Sequence, residues 1–543
     1  MTCHNQRVSE RSASPHRGHE FRAARAATNS LVNAAGVVVV LVIALVTTPI
    51  ALDHLGLVEF GIWSFVTVAV GYISKLDPNF GGMVMRYGAM GRVSGDHKIA
   101  ARICAVGTLA WLGLALLLSP VLFAIVHPLM GHMGYSPGVR VAAERFFYWT
   151  YALIFLGSIL STLSSRLLAV GEQWIVTSID ASTRILYGVV LVWCLTRDMR
   201  LSAIIVATTT QYLVAYLATF VVIAVRHGAP YASPRGIPRE TRRELRTFSG
   251  WFQLNAILDT LTYETDPVVI SVLVSPTATG IWSIATRLAR QITYFGYIPN
   301  GNILPAVSAA VAADEGAEAI QRIYTRASRI ITLIGTVMGG LVISCGPVLF
   351  LAWLNNPFHE ASWATILIAL GILAGTPRPV TGAAIFALGK VGLGTRAQAV
   401  AFIVNATLTL ALVTPFGLNG VLIGTLVAKI CATTYLLARF ARLVATPARQ
   451  LIAPWLVRIV LIGTVATVTS RFVMDHWDWA LSSRSHAGIA ALILAVLYGA
   501  VTLLMIRVTH LFTRDDLLWL RGAMPSPLRR LFPDRAIAVL SAP

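Results

Sequence analysis

Nine ionisable side chains stand inside long apolar stretches of this chain: Arg184, Asp259, Glu264, Asp266, Arg287, Arg290, Arg378, Lys429 and Arg458. Asp77 and Asp180 stand near the ends of such stretches. A charge in hydrocarbon costs about 2.5–3.5 kcal/mol on insertion scales, so these groups must face one another or a wet cavity. Arginine suits oxyanion binding, because its planar fork donates two bonds at once to phosphate-like oxygens. Arg287 and Arg290 are three apart and share a face of one helix. Arg184, Arg378 and Lys429 can complete a cationic cavity. Carboxylates in the same setting carry H+ or Na+. Asp259 and Asp266 are seven apart, two helical turns, and so lie on one face. Asp266 precedes Pro267, where a bent helix offers carbonyl oxygens to an ion. Asp77 is a further candidate for ion coupling, and Arg458, close to a surface, reads as an anchor.

The elements that carry these groups follow from composition. Of 543 residues 56% are hydrophobic and 12% charged, with a mean hydropathy of +0.71. A soluble chain has about 25% charged residues. Lipid is the solvent that suits this chain, and in lipid each backbone polar group must be satisfied within a helix or a closed barrel. The apolar runs are helix-length, not the alternating ~10-residue segments of a barrel. Fourteen spans are expected, at about 30–52, 58–75, 99–126, 146–169, 173–195, 201–225, 249–273, 278–304, 326–351, 362–388, 395–414, 418–438, 452–473 and 487–508.

The net charge of +19 belongs to topology and not to nucleic acid. With the N-terminus inside, the inner loops and tails hold most lysines and arginines, and the outer loops hold Arg140, Arg145, Arg197, Arg200, Arg471 and Arg484. Positive charge stays on the cytoplasmic side, so both termini are expected there. The five cysteines include no CxxC pair, which implies neither a disulfide framework nor a metal site. DxD, HExxH and Walker sequences are absent, so no enzyme and no cofactor are expected.

A repeat organises the chain. Gly61-Ile62-Trp63-Ser64 recurs 219 residues on as Gly280-Ile281-Trp282-Ser283, and Ser30 matches Ser249 at the same offset. Pro49 and Pro267 precede the two copies, and Pro78-Asn79 and Pro299-Asn300 follow them. Six spans separate the copies, so both enter the membrane in the same direction, with a site expected between them near mid-depth. The prolines remove helix hydrogen bonds and permit bends. The expected plan is all-α: a cytoplasmic tail 1–29, a six-helix bundle 30–225, a cytoplasmic linker 226–247, a parallel six-helix bundle 248–444 around a central cavity, two additional helices 445–508 and a tail 509–543. Within that tail, Thr513 with Asp516 three residues on reads as a capping-box start of a short interfacial helix.

The string TTPIALDHLGLVEFGIWSFVTVAVGYISKLDPNFGGMVMRYGA at 47–89 resembles the opening hairpin of bacterial polysaccharide flippases. There a proline ends the first helix, Leu-Gly and Gly-x-Trp start the second, and an Asp with glycines follows. DPVVISVLVSPTATGIWSIATRLARQI and ILPAVSAAVAAD resemble their seventh and eighth helices. One departure is Asp77-Pro78-Asn79, where the family more often has an apolar residue and Gly after the Asp. The resemblance, loosely over 30–440, is to the multidrug/oligosaccharidyl-lipid/polysaccharide exporter superfamily. It implies translocation of an undecaprenyl-diphosphate-linked oligosaccharide across the bacterial inner membrane by ion-coupled alternating access. Its partners would be that lipid-linked glycan, H+ or Na+, membrane lipid and the polysaccharide assembly machinery. Arg287, Arg290, Arg184, Arg378 and Lys429 would hold the diphosphate, and Asp266, Asp259 and Asp77 would couple the ion. Two alternatives are a multidrug exporter of the same superfamily, which would favour acids in its cavity, and a membrane-embedded glycan polymerase or transferase.

Overall fold

The computed structural model describes residues 15–75, 80–94, 96, 98–237, 258, 261–262, 265–297, 307, 316–388, 390, 392–513 and 516–518. Among them every regular element is a helix. In chain order these are α1 (Pro15–Ser74), α2 (Phe80–Ser94), α3 (Ile99–His132), α4 (Pro137–Ala169), α5 (Gln173–Leu195), α6 (Leu201–His227), α7 (Asp266–Leu273), α8 (Pro276–Tyr297), α9 (Gly316–Leu354), α10 (His359–Ala374), α11 (Arg378–Ala387), α12 (Gly392–Leu443), α13 (Ala448–Asp475) and α14 (Arg484–Val508).

Ten of the described helices are long and apolar enough to cross a membrane. Fourteen spans were expected, and three physical features account for the difference. First, α1 and α12 each contain two expected spans joined end to end. They break at Gly56 (φ 67°) and Gly417 (φ 54°), a backbone state that glycine reaches without the Cβ penalty. Second, the 249–273 span lies mostly outside the described residues, which begin continuously at Thr265. Third, α8 carries Arg287 and Arg290 and is amphipathic rather than uniformly apolar. The expected 362–388 span is built from two helices, α10 and α11, interrupted at 375–377, and the two together count as one of the ten.

The side chains that face outward confirm lipid as the surroundings. Leu116, Leu117, Val225, Leu492 and Val496 are all more than 70% exposed. Such a surface is tolerable in hydrocarbon and costly in water. The chain is a multi-pass membrane protein.

Compactness divides the chain into two units that do not follow its order. One holds Met1–His54, Asp77–Val126 and Arg145–Gly250, and the other holds Leu55–Leu76, His127–Glu144 and Trp251–Pro543. The first division falls beside the Gly56 break.

In the first unit α5 pairs with α6. Gly188 of α5 meets Ile43 and Thr47 of α1, and Gly107 of α3 meets Thr162 of α4 and Phe80 of α2. The α2 helix lies in a stretch expected to be loop. Its Met83, Val84 and Tyr87 pack with Ile99, Ile103 and Cys104 of α3 and with Ile237 from beyond α6. The first part of the expected linker is therefore fastened down: Arg166 donates to the carbonyl oxygens of Ala229 and Pro230, and Ala232 N to Ala101 O. The rest, 238–247, lies outside the described residues. At the other end of the chain, helix begins at Pro15 and not at 30. Phe21–Thr28 is rich in alanine and arginine, which are strong helix formers even where the segment is polar.

In the second unit α9 is the axis, packed by α10, α13 and α14. The two additional helices sit directly on it: a Cβ on Gly340 would meet the Tyr498 hydroxyl and Thr467, and one on Gly463 would meet Thr336. The arms of α12 fold against each other through Gly420 and Gly424, whose Cβ positions fall on Leu412 and Thr409. This is the small-xxx-small device that lets membrane helices approach closely. After α14 the chain turns back onto α9, burying Leu511, Phe512 and Leu517. The capping box forms: Asp516 Oδ2 accepts from Thr513 N at 3.1 Å and Oγ1 at 2.7 Å, and Asp516 N donates to Thr513 Oγ1. Arg329 and Arg326 of α9 clamp the same carboxylate at 2.5 and 3.2 Å. Arg458 donates to the His510 carbonyl at 2.8 Å.

Candidate functional site

The second unit contains a cavity of about 280 Å³ walled by three helices. Each presents a stripe at helical spacing. From α8 come Trp282, Thr286, Arg290 and Thr293; from α12 come Leu422, Thr425, Leu426 and Lys429; and from α10 come Leu367, Ile368, Gly371 and Ile372. Asp266 lines it as well.

Pro267 occupies the first turn of α7, where its missing N–H leaves no bond unmade, so the helix starts at Asp266. The Asp266 carboxylate is buried and packs toward α12, where Thr425 Oγ1 lies 3.0 Å from each of its oxygens and donates to them. Lys429 stands one turn beyond Thr425 on the same face of α12. Gly371 makes room for it: a Cβ there would lie 3.4 Å from Lys429 Cδ and 3.8 Å from Nζ. The charges acting on Lys429 include the Asp266 carboxylate and the guanidinium groups of Arg378 and Arg290. Below this cluster Asn405 Nδ2 donates to Thr262 O at 2.5 Å, and its Oδ1 accepts from Thr409 at 2.7 Å. That chain of polar groups holds the start of α7 against α12.

Of the residues singled out in the sequence, the fold thus gathers Asp266, Arg290 and Lys429 around one cavity, with Arg378 within electrostatic range. Arg378 opens α11 and is held by a hydrogen bond from its Nη2 to Gln398 Oε1 of α12. Arg287 takes a different place. Its guanidinium carbon lies 4.9 Å from the ring centres of both Phe60 and Trp63. Arg184 belongs to the first unit and pairs with Asp180 at 2.9 Å. Asp77, Asp259 and Glu264 lie outside the described residues. Sequence reasoning missed Thr425, Thr286 and Thr293. The signal was present as hydroxyls spaced three and four residues from the charges on α8 and α12.

The repeat has a structural meaning. A Cβ on Gly61 would fall 2.0 Å from the Pro276 carbonyl oxygen, and one on Gly280 would fall 2.5 Å from the Leu57 carbonyl oxygen. Leu57 and Pro276 differ by the same 219 positions as the two glycines. Residue pairs exchange roles across the contact, as at a twofold interface. The copies meet backbone to backbone at their first turns.

The fold as a whole resembles that of solved membrane transporters. An inward-facing multidrug resistance MATE family transporter of the MOP superfamily superposes with a TM-score of 0.59 at 14% identity, over 73% of this chain and 93% of that one. The chain shares the fold of that transporter. Lipid II flippase MurJ in an inward closed conformation gives a TM-score of 0.59 at 14% identity, covering 85% of this chain and 98% of that one. A mutant of the Vibrio cholerae MATE transporter VcmN gives 0.56 at 17% identity, covering 78% and 98%. Residues 149–362 match the family described as polysaccharide biosynthesis protein. No curated protein matches the sequence. The all-helical MOP fold agrees with the resemblance read in the sequence.

Proposed function

We propose that this chain is a flippase that moves an undecaprenyl-diphosphate-linked oligosaccharide from the cytoplasmic to the periplasmic leaflet of the bacterial inner membrane, with both its termini in the cytoplasm. The observation that carries the reading is the excess of cations around one cavity. Arg290 and Lys429 line it and Arg378 acts on it, and among the described residues Asp266 is the carboxylate set against them. A diphosphate answers that charge, Arg290 offering a planar fork and Lys429 a compact ammonium. The MATE-like fold admits a multidrug exporter, but a cavity for cationic drugs would carry acids in excess.

Asp266 supplies a coupling device. When ionised it draws on the same lysine that the diphosphate needs. When it takes up H+ or Na+, Lys429 and Arg290 are released to the substrate. The membrane potential adds a second drive. Each negative charge moved outward gains about 2.3 kcal/mol per 100 mV, and an empty, net-positive cavity is drawn back inward by the same field. The paired glycines let the first turns of the two repeat copies close one end of the path, and alternating access requires them to separate.

The test is transfer of a labelled polyprenyl-diphosphate oligosaccharide in liposomes. Arg290→Ala combined with Lys429→Ala should lower transfer about 100-fold, two charge-assisted contacts being lost. Unchanged transfer by that variant removes the site. Absence of transfer by the unaltered protein across several glycans removes the substrate class.

A further inference from the structure

A second cavity lies in the first unit, where the ends of three helices meet, and the transport reading makes no use of it. It measures about 310 Å³ and is lined by Asp96, Ile99 and Ala100 at the start of α3, Arg166, Ala169 and Val170 at the end of α4, Arg226 and His227 at the end of α6, and Gly88 of α2. Among the described residues its one acid, Asp96, and Glu172, which binds two of its lining residues, are already engaged. Asp96 pairs with Arg102 at 3.1 Å, and Glu172 takes Arg226 at 3.0 Å and His227 at 2.8 Å. Burial alone would raise the Glu172 carboxyl, but the hydrogen bonds and charges of His227 and Arg226 bring it below its ordinary value of 4.5. Glu172 is therefore a firm counter-charge to those two groups.

Arg166 is different. Only 7% of it is exposed, and among the described residues no carboxylate pairs with it. The titratable groups that act on it are Cys104 and Tyr231, both ordinarily neutral at pH 7. Its Nη1 donates both hydrogens, to Ala229 O at 2.8 Å and Pro230 O at 2.6 Å. These bonds fix the plane of the guanidinium, which has three further N–H donors on Nε and Nη2. A buried guanidinium without a counter-ion costs several kcal/mol, and carbonyl dipoles offset only part of that.

We infer that this cavity is a binding site for a phosphate-bearing anion, with Arg166 as its central ligand and Arg226 and His227 at its rim. The lining favours a lipid headgroup as the source. Gly88, Ile99, Ala100, Ala169 and Val170 form an apolar wall beside the charged one. A phosphodiester attached to a glycerol and acyl chains fits such a two-sided site better than a fully hydrated ion does. Basic pockets between membrane helices on the positively charged face hold anionic headgroups in this way. The site is separate from the Asp266 cavity, and its existence does not depend on the substrate proposed above.

The experiment is a lipid titration of the purified full-length protein followed by native mass spectrometry, with phosphatidylglycerol in one arm and phosphatidylcholine in the other. A third arm follows Tm in inorganic phosphate. The unaltered protein should retain one phosphatidylglycerol in preference to phosphatidylcholine, and Arg166→Gln should weaken that retention about tenfold, the loss of one charge-assisted contact. Glu172→Gln should tighten it, because it frees Arg226 and His227 for the anion; a merely structural cavity would show no such gain. That second variant keeps Arg166 in place and serves if Arg166→Gln fails to fold. Stabilisation by inorganic phosphate that needs Arg166, with no preference between the lipids, would support the anion site and replace the lipid as its source. Equal lipid retention by all three proteins, with no effect of phosphate, would overturn the proposal.

Discussion

The two Gly-Ile-Trp-Ser segments are alike in sequence and unlike in use. Gly61 and Gly280 play the same part, each leaving room for the backbone of the other copy. Two residues further on, the copies diverge. Trp63 turns its ring to the Arg287 guanidinium, whereas Trp282 lines the charged cavity beside Arg290. The first copy presents aromatic faces and the second presents cations. The difference teaches where a duplicated helix is free to change. Backbone contact leaves no room for any side chain, so the glycine requirement is the same in both copies. Side chains two residues away carry no such constraint and have specialised.

The largest effect should come from breaking what the copies share. Gly61→Val places carbon against a carbonyl oxygen that no rotamer change can relieve, and about 3 kcal/mol or more of stability should be lost. Gly280→Val should follow closely, while Gly71→Ala, with nothing within 4 Å of its Cβ, should be silent. Thermal unfolding of the three purified variants ranks them, and equal Tm values would dissolve the crossing.

Next come the residues by which the copies differ. Arg290→Gln should cut flipping of the labelled lipid by about tenfold, and Arg287→Gln by distinctly less, because Arg287 is engaged with Phe60 and Trp63. If the order is reversed, the cation that matters is the one on the aromatic rings.

A control lies outside the repeat. Asp516→Asn removes the counter-charge of Arg329 and Arg326 and should cost about 2 kcal/mol, releasing the segment after α14 to added protease. Burial would raise the Asp516 carboxyl, but hydrogen bonds from Thr513 and the Arg329 charge hold it below its ordinary 3.8. A carboxyl depressed by folding stabilises above its unfolded pKa and ceases to do so as pH falls through the folded value. The unaltered protein should therefore lose this contribution only below about pH 4, and the variant should show no such step.

The smallest effect sharpens the comparison most. Trp63→Leu should cost about 1 kcal/mol through the lost cation–π contact. Trp282→Leu should instead alter affinity for the lipid-linked glycan, read from concentration dependence, with little change in Tm.

Much of this could be read before any fold was known. Helix content, the membrane as solvent, the repeat and its offset follow from run length, charge deficit and identity at fixed spacing, because hydrocarbon permits few backbone solutions. The same logic marked Asp266, Arg290 and Lys429, since charges are rare in lipid and must find company. Spacing misled where it was asked for more. Arg287 and Arg290 share a helix face, yet one neighbour offered aromatic rings and the other a cavity, and local periodicity carries no record of neighbours. The expected bundle boundaries came from chain order, and compactness groups Leu55–Leu76 with residues some 200 positions away. The sequence alone determined which groups are too costly to leave in lipid. Tertiary structure decided which partner relieves each of them, because that depends on helices brought together from distant parts of the chain.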